Sequence, residues 1–383
     1  MSLRRSAPRL QPPWDSHRRI APVEKLSLSY FDIPADFPES DATLSWERNG
    51  VVVVELFAGG ERGLGYTYGD AAIGQFIRDR LADVVIGIDA ADIPFAYASM
   101  RGAVREMGVP GLAAMAISAL DIALWDLKAR LMGAPLSRLL GCVRSRVPVY
   151  GSGGYCSYSL DQLRQQLGGW AAHGISKVKM KVGRHPRDDQ ERVRAAREAI
   201  GRGVELFVDA DGAYTAKQAL AMAETFRAEG VTWFEEPVAF QDLEGLALVR
   251  ARAPAGMDIV AGERGWDPMF FRRLIEAGSV DVVQADVTRC GGISGLMRVS
   301  ALCEAFGLPM SAHGALAVHL HVACGIGPMR HIEFLHDHSR IESILFEGVP
   351  APVGGFLRPD NSRLGLGLEL KREDISSFHV AEL

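Results

Sequence analysis

The sequence predicts an α/β protein: a (β/α)8-type, TIM-like barrel preceded by an α+β capping domain that the C-terminal segment completes. Three observations predict it. After Val147, short apolar runs (VPVY, VKMKV, LFVDA, WFEEP, IVAGE, VVQAD, PMSAH, HIEF) alternate with stretches of helical periodicity. Three acidic residues, Asp209, Glu235 and Glu263, end three successive runs at gaps of 26 and 28 residues. Each gap is about the length of one strand, loop, helix and loop, so the carboxylates project from equivalent ends of parallel strands. Polar residues also end nearly every other run, as expected where all strand ends face one mouth. A doubly wound open sheet shows a similar alternation but gives no reason for that polar ring.

The 383 residues, 48% of them hydrophobic, are enough for one large domain and a smaller one. Residues 1–22 carry basic residues and prolines without an apolar core region, so they read as a disordered or tag-bearing tail and not as a secretory signal. From Glu24 to about Gly65, the runs KLSLSYF, ATLSWER and VVVVELF are separated by Pro-rich, Asn-Gly and Gly-Gly turn signals, which predicts an antiparallel meander. Between Ala71 and Leu140 apolar residues recur at helical spacing until a Gly-Ala-Pro stop. Residues 23–141 therefore form the capping domain and 142–353 the barrel. Residues 354–383, turn-rich and then strand-like, are expected to pack back on the cap. The most apolar helical stretch, Gly111 to Leu127, is interrupted by Asp121 and Asp126 and is too short to cross a bilayer.

A formal charge of -5, from 42 basic and 47 acidic residues with no dense basic block after the first 19 positions, argues against a nucleic-acid partner. Five cysteines without a C-x-x-C pair fit reduced thiols in a cytoplasmic protein.

Converging at one mouth, Asp209, Glu235 and Glu263 would make an all-oxygen cage for a hard divalent cation such as Mg2+. Any one of them alone is as readily explained as a helix cap. Lys179 and Lys181 are two apart on a strand and point the same way. Isolated strand lysines are usually solvated, but this run is otherwise apolar. A desolvated lysine beside a second cation has a lowered pKa, as a general base requires. Asp286 ends the sixth run and His313 the seventh. Adjacent strands bring them within hydrogen-bond reach, and an Asp that holds an imidazole tautomer makes the His an effective base. His319, His321, His331, His336 and His338 read as helical, surface or loop residues. Glu333, on the eighth run, when protonated would donate to a developing enolate oxygen; otherwise it caps the next helix.

These segments resemble the enolase superfamily, in its mandelate racemase-like subgroup, over essentially the whole chain from Glu24. The helix AISALDIALWDLKARLMGAPLSRLLG resembles that group's connection from cap to barrel, and KMKVG, FVDAD, WFEEP, AGE, QAD-x-x-x-CGG and SAH follow in the family's order. The resemblance implies that Asp209, Glu235 and Glu263 hold Mg2+, that Lys181 is a base, and that Lys179 polarises the substrate carboxylate. It makes His313 and Asp286 the opposing dyad and Glu333 the electrophilic partner. Lactonising and dipeptide-epimerising relatives carry a lysine where this chain has Asp286, so those activities are disfavoured. Asp211 and Arg264 stand where mandelate racemase has Asn, which disfavours mandelate as substrate.

The implied activity is abstraction of the proton next to a carboxylate, with dehydration of an acid sugar (aldonate or aldarate) to a 2-keto-3-deoxy acid preferred. Racemisation or epimerisation of a 2-hydroxy acid is the alternative, and a non-catalytic binding homologue a remote one. Asp211, Arg264 and Tyr66, with Tyr68, are candidate substrate contacts. The cap segments Tyr30–Pro38 and Gly63–Asp70 are expected to close over the mouth. The family commonly forms dimers and octamers, so a homo-oligomer is expected.

Overall fold

The computed structural model describes residues 20–373 and 375–382. The first 19 residues, most of the expected tail, lie outside the described residues. Residues 20–22 are already seated on the cap: Ala21 is buried, and the Ile20 amide donates to Asp89.

Eight parallel strands close the barrel: β4 (Val147–Gly153), β5 (Lys177–Lys181), β6 (Glu205–Asp209), β7 (Val231–Glu235), β8 (Asp258–Ala261), β9 (Val282–Ala285), β10 (Met310–Ala312) and β11 (Met329–Leu335). The pairing of β11 with β4 completes the ring, which excludes the open-sheet alternative. The strands read as unbroken apolar runs because both faces are covered. Local chemistry starts the helices between them: Ser159 with Gln162 and Thr215 with Gln218 form reciprocal capping boxes. Side-chain alternation builds the barrel interior in layers. Phe207 and Trp233 lie with Tyr150, Val260 and Val282 in one buried cluster, and two residues further on Asp209 and Glu235 face the mouth.

The cap sheet is β1 (Lys25–Ser40), β2 (Ser45–Ala58) and β3 (Glu61–Tyr68), and the C-terminal strand His379–Glu382 pairs with β1. Here the structure corrects the sequence reading. Asn49-Gly50 is not a turn: β2 runs straight through it, with Asn49 opposite Ile33 and Gly50 opposite Asp32. Glycine is needed at residue 50 for close approach, since a Cβ would lie 2.3 Å from the Gly69 carbonyl oxygen. A second correction concerns Gly63–Asp70, which is mostly β3 and packs on the helix Leu112–Leu131 instead of forming a loop over the mouth.

That helix carries Asp121 and Asp126 as ties. Asp126 accepts the Leu64 and Leu366 amides at 2.8 and 2.6 Å, joining β3 and the C-terminal segment, and Asp121 accepts the Ser294 amide from a barrel helix at 2.9 Å. No helix among the described residues is long and apolar enough to cross a membrane.

Candidate active site

Register aligns the site. Lys181 pairs with Asp209 and Asp209 with Glu235 across β5, β6 and β7, so the three side chains sit side by side at the strand ends. Glu263 follows β8 by two residues. One carboxylate oxygen from each of Asp209, Glu235 and Glu263 lies within 4.8 Å of the others, and all three residues are buried. Three like charges held this close call for a cation. Glu263 Oε2 makes no hydrogen bond of good geometry, its near neighbour being His313 Nε2, and the three residues offer only oxygen, so they fit a hard divalent ion such as Mg2+.

Two lysines reach into this cluster. Lys181 Nζ lies 2.6 Å from Asp209 Oδ2 and 3.0 Å from Asp211 Oδ2. Lys179, fully buried, pairs with Glu235, with Asp209 at 3.1 Å and with Glu333 at 2.7 Å. The expected lowering of lysine pKa is not found. Burial pulls both down, but the facing carboxylates outweigh it and hold both well above the usual lysine value. Glu333 is likewise not a protonated donor. Burial pushes its pKa up, but the Lys179 ammonium more than offsets this and keeps it ionised below the usual carboxylate value.

On the other wall, His313 Nδ1 is 2.9 Å from Asp286 Oδ2, and Nε2 is 3.2 Å from Glu263 Oε2 and 3.6 Å from Glu333 Oε2. Burial pulls the His313 pKa down, but Glu263, Glu333 and Asp286 raise it overall. Asp286 Oδ1 also accepts the Thr288 amide and hydroxyl, each at 2.7 Å, which fixes the carboxylate.

Lys181, Glu263, His313, Asp211 and Arg264 line one cavity of about 470 Å³, a size suited to a small-molecule ligand. The loops that form it are strained where the chain leaves the strands: Asp211, Glu236 and Ala315 have φ of 46°, 35° and 40°. Arg264 pairs with Asp211 at 3.1 Å, with Glu263 at 3.0 Å and with Glu236. Burial and the Asp209 charge push the Asp211 pKa up to about 6.

Tyr66 and Tyr68 are corrected as substrate contacts. Tyr66 has no exposed surface and donates to Glu342 Oε1 at 2.5 Å, and Tyr68 stacks on His338 with ring centroids 3.5 Å apart. Neither lines the cavity. Of the remaining histidines, His319, His321, His336 and His338 lie in helices as expected and His331 does not. His331 is buried on β11, and His338 lines the cavity beside His313, accepting the Ala315 amide at 3.1 Å. Sequence reasoning also missed Glu236, Arg289, Trp46 and Asp337. Glu236 was visible as the second acid of WFEEP, and Arg289 as the residue three after Asp286. Trp46 and Asp337 gave no local signal.

A closed parallel barrel with this ring of acids, lysines and a His–Asp dyad under an α+β cap defines an enolase-type active site. Residues 31–141 match the family described as mandelate racemase / muconate lactonizing enzyme, N-terminal domain, and residues 162–375 match enolase C-terminal domain-like. The chain belongs to this family and is an enzyme of the lyase or isomerase kind. It is 34% identical over 331 residues to L-talarate/galactarate dehydratase of Salmonella typhimurium, covering 82% of each chain. A crystal structure of a mandelate racemase/muconate lactonizing enzyme-like protein from Rubrobacter xylanophilus superposes with a TM-score of 0.92 at 54% identity, covering 94% of this chain and all of that one. A racemase from Streptomyces coelicolor, crystallised with bound magnesium, superposes with a TM-score of 0.88 at 30% identity over 94% of this chain and all of that one.

Proposed function

We propose that this protein removes the proton from C2 of a sugar acid and eliminates the C3 hydroxyl as water, yielding a 2-keto-3-deoxy acid. The observation that carries the reading is that Lys181 and His313, from strands β5 and β10 on different sides of the barrel, line one cavity, where Asp211, Arg264, Arg289 and Asp337 stand among apolar residues such as Met115, Phe240 and Trp266. The charged members of this lining offer hydrogen bonds to a polyhydroxylated ligand. The similarity to a dehydratase supports the same direction.

Mg2+ held by Asp209, Glu235 and Glu263 would supply positive charge against the carboxylate as the C2 proton leaves. Lys181, once cation charge on Asp209 relaxes the carboxylate field that holds it protonated, takes the C2 proton as the neutral amine while the electron pair moves into the substrate carboxylate. The buried ammonium of Lys179 favours that charge. As the electron pair returns to form the C2–C3 double bond, the C3–oxygen bond breaks and His313 Nε2 gives the departing hydroxyl a proton. The enol then takes a proton at C3 and gives up its C2 hydroxyl proton to become the ketone. Asp286 holds the His313 ring in position throughout.

The same two residues facing one carbon would return the proton to the other face in a racemase or epimerase, which is the second reading. No base or acid of the set is missing, which argues against a binding homologue that no longer turns over. A panel of aldonates and aldarates with Mg2+, read by semicarbazide absorbance of 2-keto product, tests the proposal. Product that disappears in Lys181→Ala supports dehydration. No product, together with C2 proton exchange in deuterated water, moves the assignment to racemisation or epimerisation.

A further inference from the structure

Apart from Asp211 Oδ2 and Glu263 Oε2, which face Lys181 and His313, three polar atoms of cavity-lining residues have no hydrogen-bond partner among the described residues: Asn49 Nδ2, Tyr155 Oη and Asp337 Oδ1. They come from separate parts of the chain. Asn49 is on cap strand β2, Tyr155 follows β4, and Asp337 follows β11. Because β4 and β11 are neighbours in the ring, Tyr155 and Asp337 rise from the same side of the mouth, with β2 above them. Tyr155 and Asp337 are 1% and 4% exposed, so bulk water does not readily satisfy them. The negative charge of Asp337 helps hold the Tyr155 phenol well above its usual pKa, after burial. The phenol is thus a neutral donor. Asp337 faces the Tyr155 phenol and the Glu39 carboxyl, and its Oδ2 accepts the Trp46 indole at 3.1 Å, while Oδ1 makes no hydrogen bond of good geometry.

Buried polar atoms without partners in a ligand cavity are expected to be satisfied by the ligand. Here the set is an amide donor, a phenol and a carboxylate acceptor, the complement of hydroxyl groups. We infer that Asn49, Tyr155 and Asp337 form a subsite for the far end of the substrate that selects aldonates, which end in an alcohol, over aldarates, which end in a second carboxylate. This rests on the sugar-acid reading above and specifies its substrate class.

The charge distribution supports the selection. A carboxylate at this end would face Asp337, with Asp41 in the same cavity. The cavity's arginines serve elsewhere. Arg264 leaves from β8, opposite β4 in the ring, and is held by Asp211, Glu236 and Glu263. Arg289 leaves from β9 and is turned toward Glu263 and Asp286, at 3.5 Å from each.

The experiment is calorimetric titration of the Lys181→Ala, His313→Asn double variant, loaded with Mg2+, with stereochemically matched pairs such as galactonate and galactarate or gluconate and glucarate. The expected result is at least tenfold tighter binding of the aldonate in the pair that binds best. Tyr155→Phe, which removes one oxygen, should weaken that aldonate about tenfold, and Asp337→Asn should bring the aldonate-to-aldarate ratio close to one. Equal or tighter binding of aldarates, a ratio unchanged in Asp337→Asn, or no Mg2+-dependent binding of either class overturns the subsite. Parallel assays of the wild type separate this from the reaction. An aldarate that binds tighter and is dehydrated sinks the subsite and keeps the dehydratase reading. An aldonate preference without 2-keto product keeps the subsite and sinks that reading.

Discussion

His313 presents Nδ1 to Asp286 Oδ2 at 2.9 Å, which leaves Nε2 facing the cavity. An ionised Asp on Nδ1 fixes both the ring orientation and the tautomer, and stabilises the protonated ring. Burial acts against ionisation of Asp286, but its hydrogen bond to His313 and the charge of Arg289 hold its pKa below the usual value.

Asp286→Asn keeps the shape but removes that charge. On a confirmed substrate kcat should fall by up to about 10⁴, the loss that neutralising the orienting acid of a Ser-His-Asp triad causes. Circular dichroism should be unchanged. Wild-type kcat in the variant would show that the dyad does not serve the reaction.

The carboxylate cage predicts a response to metal that can be read without substrate. Mg2+ at about 100 times its dissociation constant should stabilise the folded chain by roughly 2.7 kcal/mol. Glu263→Gln removes one charge from the cage, so its Tm should rise little on adding Mg2+. Equal Tm gains in wild type and variant would mean that the ion binds elsewhere.

Glu39, at the cap–barrel junction, makes stability depend on pH. Burial, then the nearby Asp337 carboxyl, pushes its pKa up to about 9 from 4.5. The folded chain holds this proton more tightly than the unfolded one. The associated stability is therefore full below about pH 4.5 and is lost as pH rises toward 9. Asp121 and Glu342, both pushed up to about 7 by burial, tilt the wild-type curve the same way. The informative quantity is thus the difference between proteins: Tm of Glu39→Gln should fall less between pH 5 and pH 9 than that of wild type. Parallel curves would remove Glu39 from the account.

Gly65 lets β3 lie against the cap helix, since a Cβ there would sit 2.1 Å from the Ala119 carbonyl oxygen and 2.6 Å from the Ala123 nitrogen. These are backbone atoms that cannot rotate away. Gly65→Ala should cost about 1 to 3 kcal/mol or more, lowering Tm by several degrees in a thermal melt. An unchanged Tm would show that the sheet and helix separate without cost.

The barrel could be read from the sequence because each parallel strand is buried on both faces and stops at a polar residue. Apolar runs and their terminal acids, lysines and histidine therefore carry strand position and site together. What escaped was set by contacts distant in sequence. Asn49-Gly50 has the composition of a turn, but the close approach of the Gly69 carbonyl puts it inside a strand. Tyr66 is buried because it alternates to the face of β3 that meets Glu342, 276 residues away. The lysine pKa values depend on carboxylates from β6, β7 and β11, which no spacing within VKMKV reveals. The far wall of the cavity joins Trp46 to Asp337 across 291 residues, a pairing with no local signature.

The most direct test of the central claim is proton NMR of a sugar-acid panel incubated in deuterated water with the protein and Mg2+, following the C2 proton. Whether the reaction ends in elimination or in return of the proton, that resonance should disappear for at least one acid. It should persist in excess EDTA and in the Lys181→Ala, His313→Asn double variant. A C2 resonance that stays at full intensity across the panel, or that is lost as fast in the double variant as in wild type, would contradict proton abstraction at this site.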